Sequence, residues 1–592
     1  MRAPLRIAAL LLAAAAGGCS STLVDQNGAD LVPSGCACTA PPDASPVCNP
    51  DGSCDFVCSA GLLKCGGGCL ACTPPANATA VCAAGACGFA CNAPTRLCPA
   101  APGGTGSCQL ESELSCGPSC AACPGPSAGP GRAVCQPGAS AGQGTCSIAC
   151  DAGTHACGGA CEADTDPLHC GASCQVCTAP PNASPLCEGG ACAFACDPGW
   201  MRCGSGCCRA STVAAGGEFG CAVLTDGRAR CWGANDRGQL GDGGTASSAE
   251  PVDVTGLPAG SRVTALALGW AHACAVVDPG GLVYCWGDNG TRQLGPGTTA
   301  PSSPVPVLVT GISGVAAPAS PSAPPAIVAG GGVTGSPPAP FGHTCAVGAG
   351  GLACWGANAS GQLGDGSTVT SAAPRPVTGL ATAAALAAGG SHTCAATGGV
   401  LRCWGEGASG QLGDGGTASR TTPSPVVTTA FPPGGTAVAV AAGRSSTCAA
   451  VGSPPALFCW GDNAEGQVTA SAPPPASSAT PLATALGGGF NPSWVTAGRA
   501  HACGLEPGTA AMKCFGANAQ SQLSGAATPV GKVDVALTGA VPGASVMAAG
   551  GDHTCALLTD GSVQCWGANG QGQTGTGRIA GTVVTPTYVS GR

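Results

Sequence analysis

Residues 553–575 read HTCALLTDGSVQCWGANGQGQTG, and this stretch determines the fold of the C-terminal two thirds of the chain. Cys555 and Cys565 lie at nearly equal distances from a turn at Asp560. Apolar residues lead into and out of the turn, as in a β-hairpin. Opposed residues of antiparallel strands have Cα atoms about 4.5–5.5 Å apart, and a disulfide spans such a distance. We therefore expect a disulfide rather than a reactive pair or half of a metal site.

The same arrangement occurs seven times from about residue 210 onward. Successive first cysteines are separated by 53, 71, 49, 54, 55 and 52 residues. A tryptophan follows the second cysteine in each unit except the sixth, where Phe515 takes its place. We predict seven hairpin disulfides: Cys221–Cys231, Cys274–Cys285, Cys345–Cys354, Cys394–Cys403, Cys448–Cys459, Cys503–Cys514 and Cys555–Cys565.

Each unit contains further strand patterns besides the hairpin. Apolar runs such as VTALALGWAHAC from Val263 precede the first cysteine, and short segments with proline, such as PVDVTG from Pro251, separate the units. Several short strands per unit of about fifty residues, repeated seven times, are typical of a β-propeller. The sequence predicts an all-β fold, with a seven-bladed β-propeller over residues 209–592.

Two details of this region lead to separate expectations. The first unit has no proline-containing strand before it, whereas TPTYVSG at residues 585–591 follows the last unit. We expect this C-terminal strand to complete the first blade and so close the ring. The longest interval contains an Ala/Pro/Ser-rich insertion around Ala316–Pro340, which we expect to form a surface loop.

The motif HTC…CWG-x-N-x-x-GQLGDG resembles the regulator of chromosome condensation type of repeat, and the resemblance extends over all seven units. It implies a seven-bladed propeller. The best-known member of that family acts on a small nuclear GTPase and chromatin, partners that an exported, disulfide-bonded chain would not meet. Secreted bacterial propellers of this type, including one that inhibits β-lactamases, bind proteins through one face. The resemblance therefore implies a binding module for an extracellular protein or glycan.

A second cysteine pattern occupies residues 36–208, which contain thirty of the 45 cysteines. About four imperfect units begin at Cys38, Cys72, Cys123 and Cys177. Such units have few large apolar residues, so we expect a loop-dominated region held by disulfides. Its C-x₂-C pairs have a spacing that also suits zinc, but within so dense a set of cysteines we interpret them as disulfides. Glu162, Asp164 and Asp166 do not match a calcium loop and are expected in a solvated turn.

The N-terminus has the features of an export signal. An apolar run from Ile7 to Ala16 follows two arginines and is too short to span a bilayer. We predict a signal peptide at residues 1–18. The small residues before Cys19 resemble a bacterial lipobox, so Cys19 is expected to be lipidated and residues 19–35 to form a linker. Ala16 stands where such sites usually carry Leu, which leaves ordinary secretion as the alternative. Removing Cys19 leaves an even number of cysteines.

No motif for catalysis, a cofactor or a metal is present. Five units have a histidine two residues before the first cysteine, and a residue that recurs in this way is expected to make structural hydrogen bonds: His272, His343, His392, His501 and His553. No G-x-S-x-G elbow with a partnered histidine, HExxH or P-loop occurs. The net charge of −9 does not provide the basic surface that nucleic acids require.

These features predict a non-enzymatic, monomeric bacterial lipoprotein, exported to the outer membrane or cell surface. Its propeller would bind a protein or glycan. Three alternatives remain: an enzyme-inhibitor-like secreted propeller, a structural envelope protein, and a hydrolase with its site in the central funnel. The hydrolase would need acidic, histidine or arginine side chains that depart from the repeat on one rim.

Overall fold

A computed structural model shows an all-β chain, as the sequence predicts. It describes residues 40–591 except 49–53, 61, 66, 72–73, 75–77, 84–85, 92–94, 99–106, 111–121, 137–144, 335–338, 470–475, 485, 487–488, 507–510, 526–527, 535–542 and 580. The predicted signal peptide and Cys19 lie outside the described residues. The chain divides into two compact units, one ending at Cys174 and the other beginning at Gln175. Within the described ranges, no helix has the length and hydropathy needed to cross a membrane.

The cysteine-rich region consists of two-stranded antiparallel hairpins, two in each of its four repeats. Each odd-numbered strand pairs with the next strand along the chain. The strands are β1 (Ala44–Cys48), β2 (Cys54–Cys58), β3 (Leu63–Cys65), β4 (Gly68–Leu70), β5 (Ala78–Ala83), β6 (Ala86–Cys91), β7 (Thr95–Cys98), β8 (Ser107–Leu110), β9 (Gly131–Gln136), β10 (Thr145–Cys150), β11 (Thr154–Cys157), β12 (Ala160–Ala163), β13 (Ala183–Glu188), β14 (Ala191–Cys196), β15 (Met201–Cys203) and β16 (Gly206–Cys208).

Equivalent disulfides join the two hairpins in three of these repeats. Cys58–Cys69, Cys150–Cys161 and Cys196–Cys207 each link the end of the first hairpin to the last strand of the second. The hairpins are too small to bury a large apolar core, so these covalent links hold the repeats together.

The second compact unit contains a propeller of seven four-stranded blades, which confirms the predicted fold. In each blade the strands follow one another from the axis outward. They are β17 (Ala210–Ala215), β18 (Phe219–Leu224), β19 (Ala229–Gly233), β20 (Ser248–Asp253); β21 (Arg262–Leu268), β22 (His272–Asp278), β23 (Leu282–Asp288), β24 (Ser302–Leu308); β25 (Ile327–Thr334), β26 (Ala339–Gly348), β27 (Gly351–Gly356), β28 (Ser371–Pro376); β29 (Ala385–Ala388), β30 (His392–Thr397), β31 (Val400–Gly405), β32 (Arg420–Pro425); β33 (Ala437–Ala442), β34 (Ser446–Val451), β35 (Ala456–Asp462), β36 (Ser477–Ala483); β37 (Trp494–Ala497), β38 (His501–Leu505), β39 (Met512–Asn518), β40 (Thr528–Asp534); and β41 (Ala544–Ala549), β42 (His553–Leu558), β43 (Val563–Ala568), β44 (Thr582–Tyr588).

The two central strands of each blade carry its cysteine pair. Cys555 and Cys565, for example, are directly opposite in the register of β42 and β43. All seven pairs are disulfide-bonded, with Cα atoms 4.0–4.1 Å apart. Successive residues of a strand point to opposite faces, so Trp566 faces away from the disulfide, and it packs against residues of the sixth blade, including Cys503 and Leu523.

The glycine after each tryptophan or Phe515 has a backbone reason to recur. Its φ angle lies between +98° and +110° in all seven blades, a region that L side chains disfavour. The register between the third and fourth strands shifts close to this residue, as at Cys231/Gly233 in the first blade. A side chain would also lack space here, since a Cβ added to Gly233 would lie 2.5 Å from the carbonyl oxygen of Glu218.

The expectation that the C-terminal strand completes the first blade is wrong. β44 pairs with β43, so it is the outer strand of the seventh blade, and the first blade has its own outer strand, β20. The ring closes through contacts of the kind found between other neighbouring blades. The indole N–H of Trp232 donates to the carbonyl of Gln573 at 3.0 Å, just as Trp286 donates to Gln239 at 2.9 Å.

The insertion at Ala316–Pro340 is also not simply a surface loop. Its later part supplies all of β25, the inner strand of the third blade, and the start of β26. Its earlier part lines the central channel through Pro318 and residues 321–325. The third blade is complete only with this inner strand. The residues before the strand, Pro318 and 321–325, form a segment that we call the channel strap, and those after it lengthen the hairpin of β25 and β26.

The fourth cysteine repeat packs on the propeller beside the interface of the first and seventh blades. Met201 is buried with Val213 of the first blade and Val563 of the seventh. The backbone N–H of Cys196 donates to the carbonyl of Gly591 at 3.2 Å. The fourth cysteine repeat thus contacts both the first and the seventh blade and stabilises their interface, although neither blade supplies a strand to the other.

Candidate binding face around the propeller axis

The propeller has two faces that differ in their connections. One, which we call the loop face, carries the turns between the first and second strands of each blade and the long loops between the third and fourth strands. In the first blade these are residues 216–218 and 234–247. The other, the turn face, carries the short turns between the second and third strands and the connections between blades. The fourth cysteine repeat contacts the turn face, near the turn at Ser562.

A buried asparagine organises each long loop. The side-chain carbonyl of Asn235 accepts a hydrogen bond from the N–H of Leu240 at 2.9 Å, and its amide donates to the carbonyl of Ala246 at 3.0 Å. Asparagines in all other blades except the fourth accept the same backbone bond: Asn289, Asn358, Asn463, Asn518 and Asn569. Gly407 replaces the asparagine in the fourth blade. The loops are therefore internally braced, which limits the entropy lost when a ligand binds them.

Seven glycines encircle the axis at the loop face: Gly216, Gly269, Gly330, Gly389, Gly443, Gly498 and Gly550. Each approaches the carbonyl of the next glycine in the ring. A Cβ added to Gly389, for example, would lie 2.4 Å from the carbonyl oxygen of Gly443. Sequence reasoning missed this ring, although six of the seven glycines stand five residues before the first cysteine of their unit.

The residue after each ring glycine departs from the repeat in three blades. Four blades have a second glycine, whereas the second, fifth and sixth blades have Trp270, Arg444 and Arg499. Trp270 is only partly buried, and its indole lies against Gly217. Arg444 is exposed and forms no ion pair with any residue that the structure describes. These side chains surround the channel mouth where a ligand would meet them.

Charged side chains from the seventh and first blades complete the mouth. Arg499 forms a bidentate pair with Asp552, with Nη2–Oδ1 and Nε–Oδ2 distances of 2.8 and 3.2 Å. Partial burial, together with the nearby carboxylates of Asp236 and Asp552, raises the pKa of Glu218. The mouth thus presents an aromatic ring and charges of both signs, a composition suited to protein recognition.

The channel behind this mouth is narrow and uncharged. It has a volume of about 220 Å³ and is lined by the seven inner strands and the channel strap. None of its described lining residues is charged. Charged residues that depart from the repeat lie on the rim of the channel and not among the described residues of its wall.

The recurring histidines lie between blades, away from the mouth. Their Nε2 atoms lie 2.9–3.0 Å from a threonine hydroxyl of the next blade in four pairs: His272–Thr344, His343–Thr393, His392–Thr447 and His501–Thr554. This confirms structural hydrogen bonding for four of the five. Because Thr447 donates its own proton to the carbonyl of Gln411, His392 must carry its proton on Nε2. Burial lowers the pKa of all five histidines to about 3 or 4.

His553 is the exception. Both of its ring nitrogens are buried without a hydrogen-bond partner among the described residues. The first blade has Gly220 where four other blades place the threonine. The interface that closes the ring therefore lacks the polar contact found at four of the other interfaces.

Comparison with known proteins identifies the repeats. The pattern described as "Regulator of chromosome condensation (RCC1) repeat" matches residues 226–276, 280–328, 349–396 and 399–450. A second pattern of the same description matches residues 210–239, 263–293 and 546–573. The propeller thus contains RCC1 repeats, matched over residues 210–328, 349–396, 399–450 and 546–573.

Individual relatives match only part of their own length. The chain is 37% identical over 102 residues to the human E3 ubiquitin-protein ligase HERC2, covering 17% of this chain and 2% of that protein. It is 38% identical over 85 residues to the mitochondrial RCC1 domain-containing protein RUG3 of Arabidopsis thaliana, covering 14% and 19%. The chain therefore spans at most a fifth of these two relatives.

Solved structures support the fold. Yeast RCC1 (Prp20) bound to Kap60 superposes with a TM-score of 0.50 at 18% identity, covering 64% of this chain and 85% of that chain. Prp20p from Saccharomyces cerevisiae also gives 0.50, at 19% identity, covering 64% and 87%. At such identities the likeness concerns the fold alone.

Proposed function

Because the chain is a seven-bladed propeller of RCC1 repeats preceded by a disulfide-rich region, we propose that it is a non-enzymatic, extracellular binding protein. Its ligand is a protein that docks on the loop face around the channel mouth. The observation that carries this proposal is the cluster of Trp270, Arg444 and Arg499. Residues that recur in every blade build the fold, whereas these three depart from the repeat and line the same channel mouth.

The chemistry of the cluster favours a protein ligand. Tryptophan and arginine are the residue types most enriched among interface positions that contribute strongly to affinity. The braced loops and the glycine ring hold the cluster on a rigid frame, so little order must be gained on binding. The fourth cysteine repeat packs on the turn face, which leaves the loop face uncovered by that repeat.

Export and anchoring form the second part of the proposal. The many disulfides indicate an oxidising, extracellular-type environment. We propose that a bacterial signal peptide directs export and that Cys19 carries the lipid anchor. Metabolic labelling with a clickable fatty acid should label the chain, and Cys19→Ser should abolish the label and release the protein. Equal labelling of the Cys19→Ser variant would contradict the anchor.

Affinity capture tests the binding proposal. The full chain is immobilised and used to capture proteins from cell-surface fractions of organisms that share the habitat of the producing organism. Trp270→Ala and Arg444→Ala should each weaken saturable binding by roughly 30-fold, or about 2 kcal/mol. The matched control is Asp226→Ala with Arg228→Ala, an exposed pair on the turn face, which should bind normally. Unchanged affinity in both mouth variants, or turnover of a glycan or peptide library by the wild type, would overturn the proposal.

A further inference from the structure

The two histidines that the propeller does not use lie together in the third cysteine repeat. Of the seven histidines in the chain, five lie between blades, and the other two are His155 and His169. His169 belongs to a segment that the first repeat lacks. Only two residues separate Cys69 from Cys72 there, whereas fifteen separate Cys161 from Cys177 in the third repeat. The extra residues therefore add a feature that the basic repeat does not require.

Three side chains of this segment converge. His169 Nδ1 is hydrogen-bonded to Asp166 Oδ2 at 2.9 Å, a contact whose proton a metal ion would replace, and lies 3.8 Å from Glu162 Oε2. All three ligand atoms lie within 4.8 Å of one another, and all three residues are half-buried. The expectation of a plain solvated turn does not account for this convergence, because a hydrogen bond explains the approach of Asp166 to His169 but not that of Glu162.

Disulfides hold the backbone on both sides of the cluster. Glu162 follows Cys161, which is bonded to Cys150 and is 3% exposed. His169 precedes Cys170, which is disulfide-bonded and 2% exposed. His155 stabilises the segment from outside, since its Nδ1 lies 3.0 Å from Asp164 Oδ1 and its Nε2 lies 2.5 Å from the carbonyl of His169. The three candidate ligands thus occupy a covalently stapled frame, which favours a defined geometry over a mobile acidic surface.

The donor set and the spacing select the ion. With zinc–ligand bonds of about 2.0–2.1 Å, ligand atoms of a tetrahedral site are about 3.3–3.4 Å apart, and the distances of 2.9 and 3.8 Å bracket that value. Calcium and magnesium prefer oxygen ligands throughout, whereas zinc combines imidazole with carboxylates. We propose that Glu162, Asp166 and His169 bind one Zn²⁺ ion, with the fourth position open to water.

Zinc binding to the fully oxidised full chain tests the proposal. Equilibrium dialysis with ZnCl₂, followed by metal analysis, should show one equivalent fewer for Asp166→Asn and for His169→Gln than for the wild type. Affinity at this site should fall at least about tenfold, because removal of even an outer-shell partner of a metal ligand typically costs 10- to 100-fold. Asp164→Asn is the matched control, since Asp164 is an acidic neighbour that pairs with His155 and supplies no ligand. It should retain the equivalent.

Two further readouts make the outcome decisive. X-ray absorption at the zinc edge should show nitrogen and oxygen ligands without sulfur, and a large excess of Ca²⁺ should not displace the ion. Equal zinc stoichiometry in the wild type and both ligand variants, a sulfur shell, or displacement by Ca²⁺ would overturn the assignment.

Discussion

Replacing a blade histidine with phenylalanine should have opposite effects at two equivalent positions. His392→Phe removes the bond to Thr447, whereas His553→Phe removes a ring whose nitrogens have no partner. Phenylalanine fits this place in the fold, because Phe219 occupies it in the first blade. A Cβ added to Gly216 would lie 2.3 Å from the Phe219 ring, and one added to Gly550 would lie 2.3 Å from the His553 ring.

The magnitudes follow from hydrogen-bond accounting. His392→Phe deletes one buried hydrogen bond of 2.9 Å but leaves the Thr447 hydroxyl donating to Gln411, so the free energy of unfolding should fall by about 1 kcal/mol. His553→Phe deletes no bond and removes two buried, unpaired nitrogens. It should therefore raise the free energy of unfolding by about 1–2 kcal/mol.

Calorimetry at pH 7.5 under oxidising conditions measures the difference. For a propeller unit of about 400 residues, 1 kcal/mol corresponds to a shift in melting temperature of about 1 °C. We expect a lower melting temperature for His392→Phe and a higher one for His553→Phe. A loss of stability in His553→Phe equal to or greater than that in His392→Phe would refute the assignment of an unpaired histidine to the closing interface.

Three other predictions concern the whole propeller. Acid should destabilise the propeller between about pH 6.5 and pH 4, because the buried histidines have pKa values of about 3 or 4 in the folded state and the unfolded chain therefore binds protons first. Each histidine should lower the free energy of unfolding by about 2 kcal/mol at pH 5. A stability curve that is flat from pH 7.5 to pH 5 would contradict this. Gly389→Ala should lower the free energy of unfolding by about 1–3 kcal/mol, since its Cβ would lie 2.4 Å from a carbonyl oxygen. Gly350→Ala is the control, because its Cβ would meet nothing within 4 Å, and denaturant titration should find it nearly neutral. Mild reductant should open the half-buried Cys203–Cys208 bond before the blade disulfides, whose cysteines are 0% exposed; mass mapping that finds blade thiols first would be the contrary result.

Local sequence patterns were sufficient to predict the number of blades and the positions of their central hairpins. Cys555 and Cys565 flank a turn, so their pairing follows from a short stretch. The order of strands within a blade does not follow in the same way. A repeat in the sequence can be divided into units at any point. The segment at Pro251 could therefore be the last strand of the first blade or the first strand of the second, and only its hydrogen bonds to β19 assign it to the first blade.

The candidate binding site was harder to predict because it depends on contacts between distant blades. Trp270, Arg444 and Arg499 are far apart in sequence and come to line one channel mouth only when the ring closes. Each of the three residues follows a glycine of the ring. The ring glycines lie within contact distance of the carbonyl of the next glycine, which places all three side chains around the same opening. A comparison of the seven units, position by position before the first cysteine, would have revealed both the glycines and the three departures.

The central claim is that the departures from the repeat on the loop face form the binding surface. Hydrogen–deuterium exchange of the full chain, with and without its captured protein partner, tests it most directly. We predict slower exchange around residues 216–218, 270–271, 444–445 and 499–500 on complex formation, with no change at the turn-face residues 226–228. Protection confined to the turn face, or no protection of the propeller at all, would contradict it.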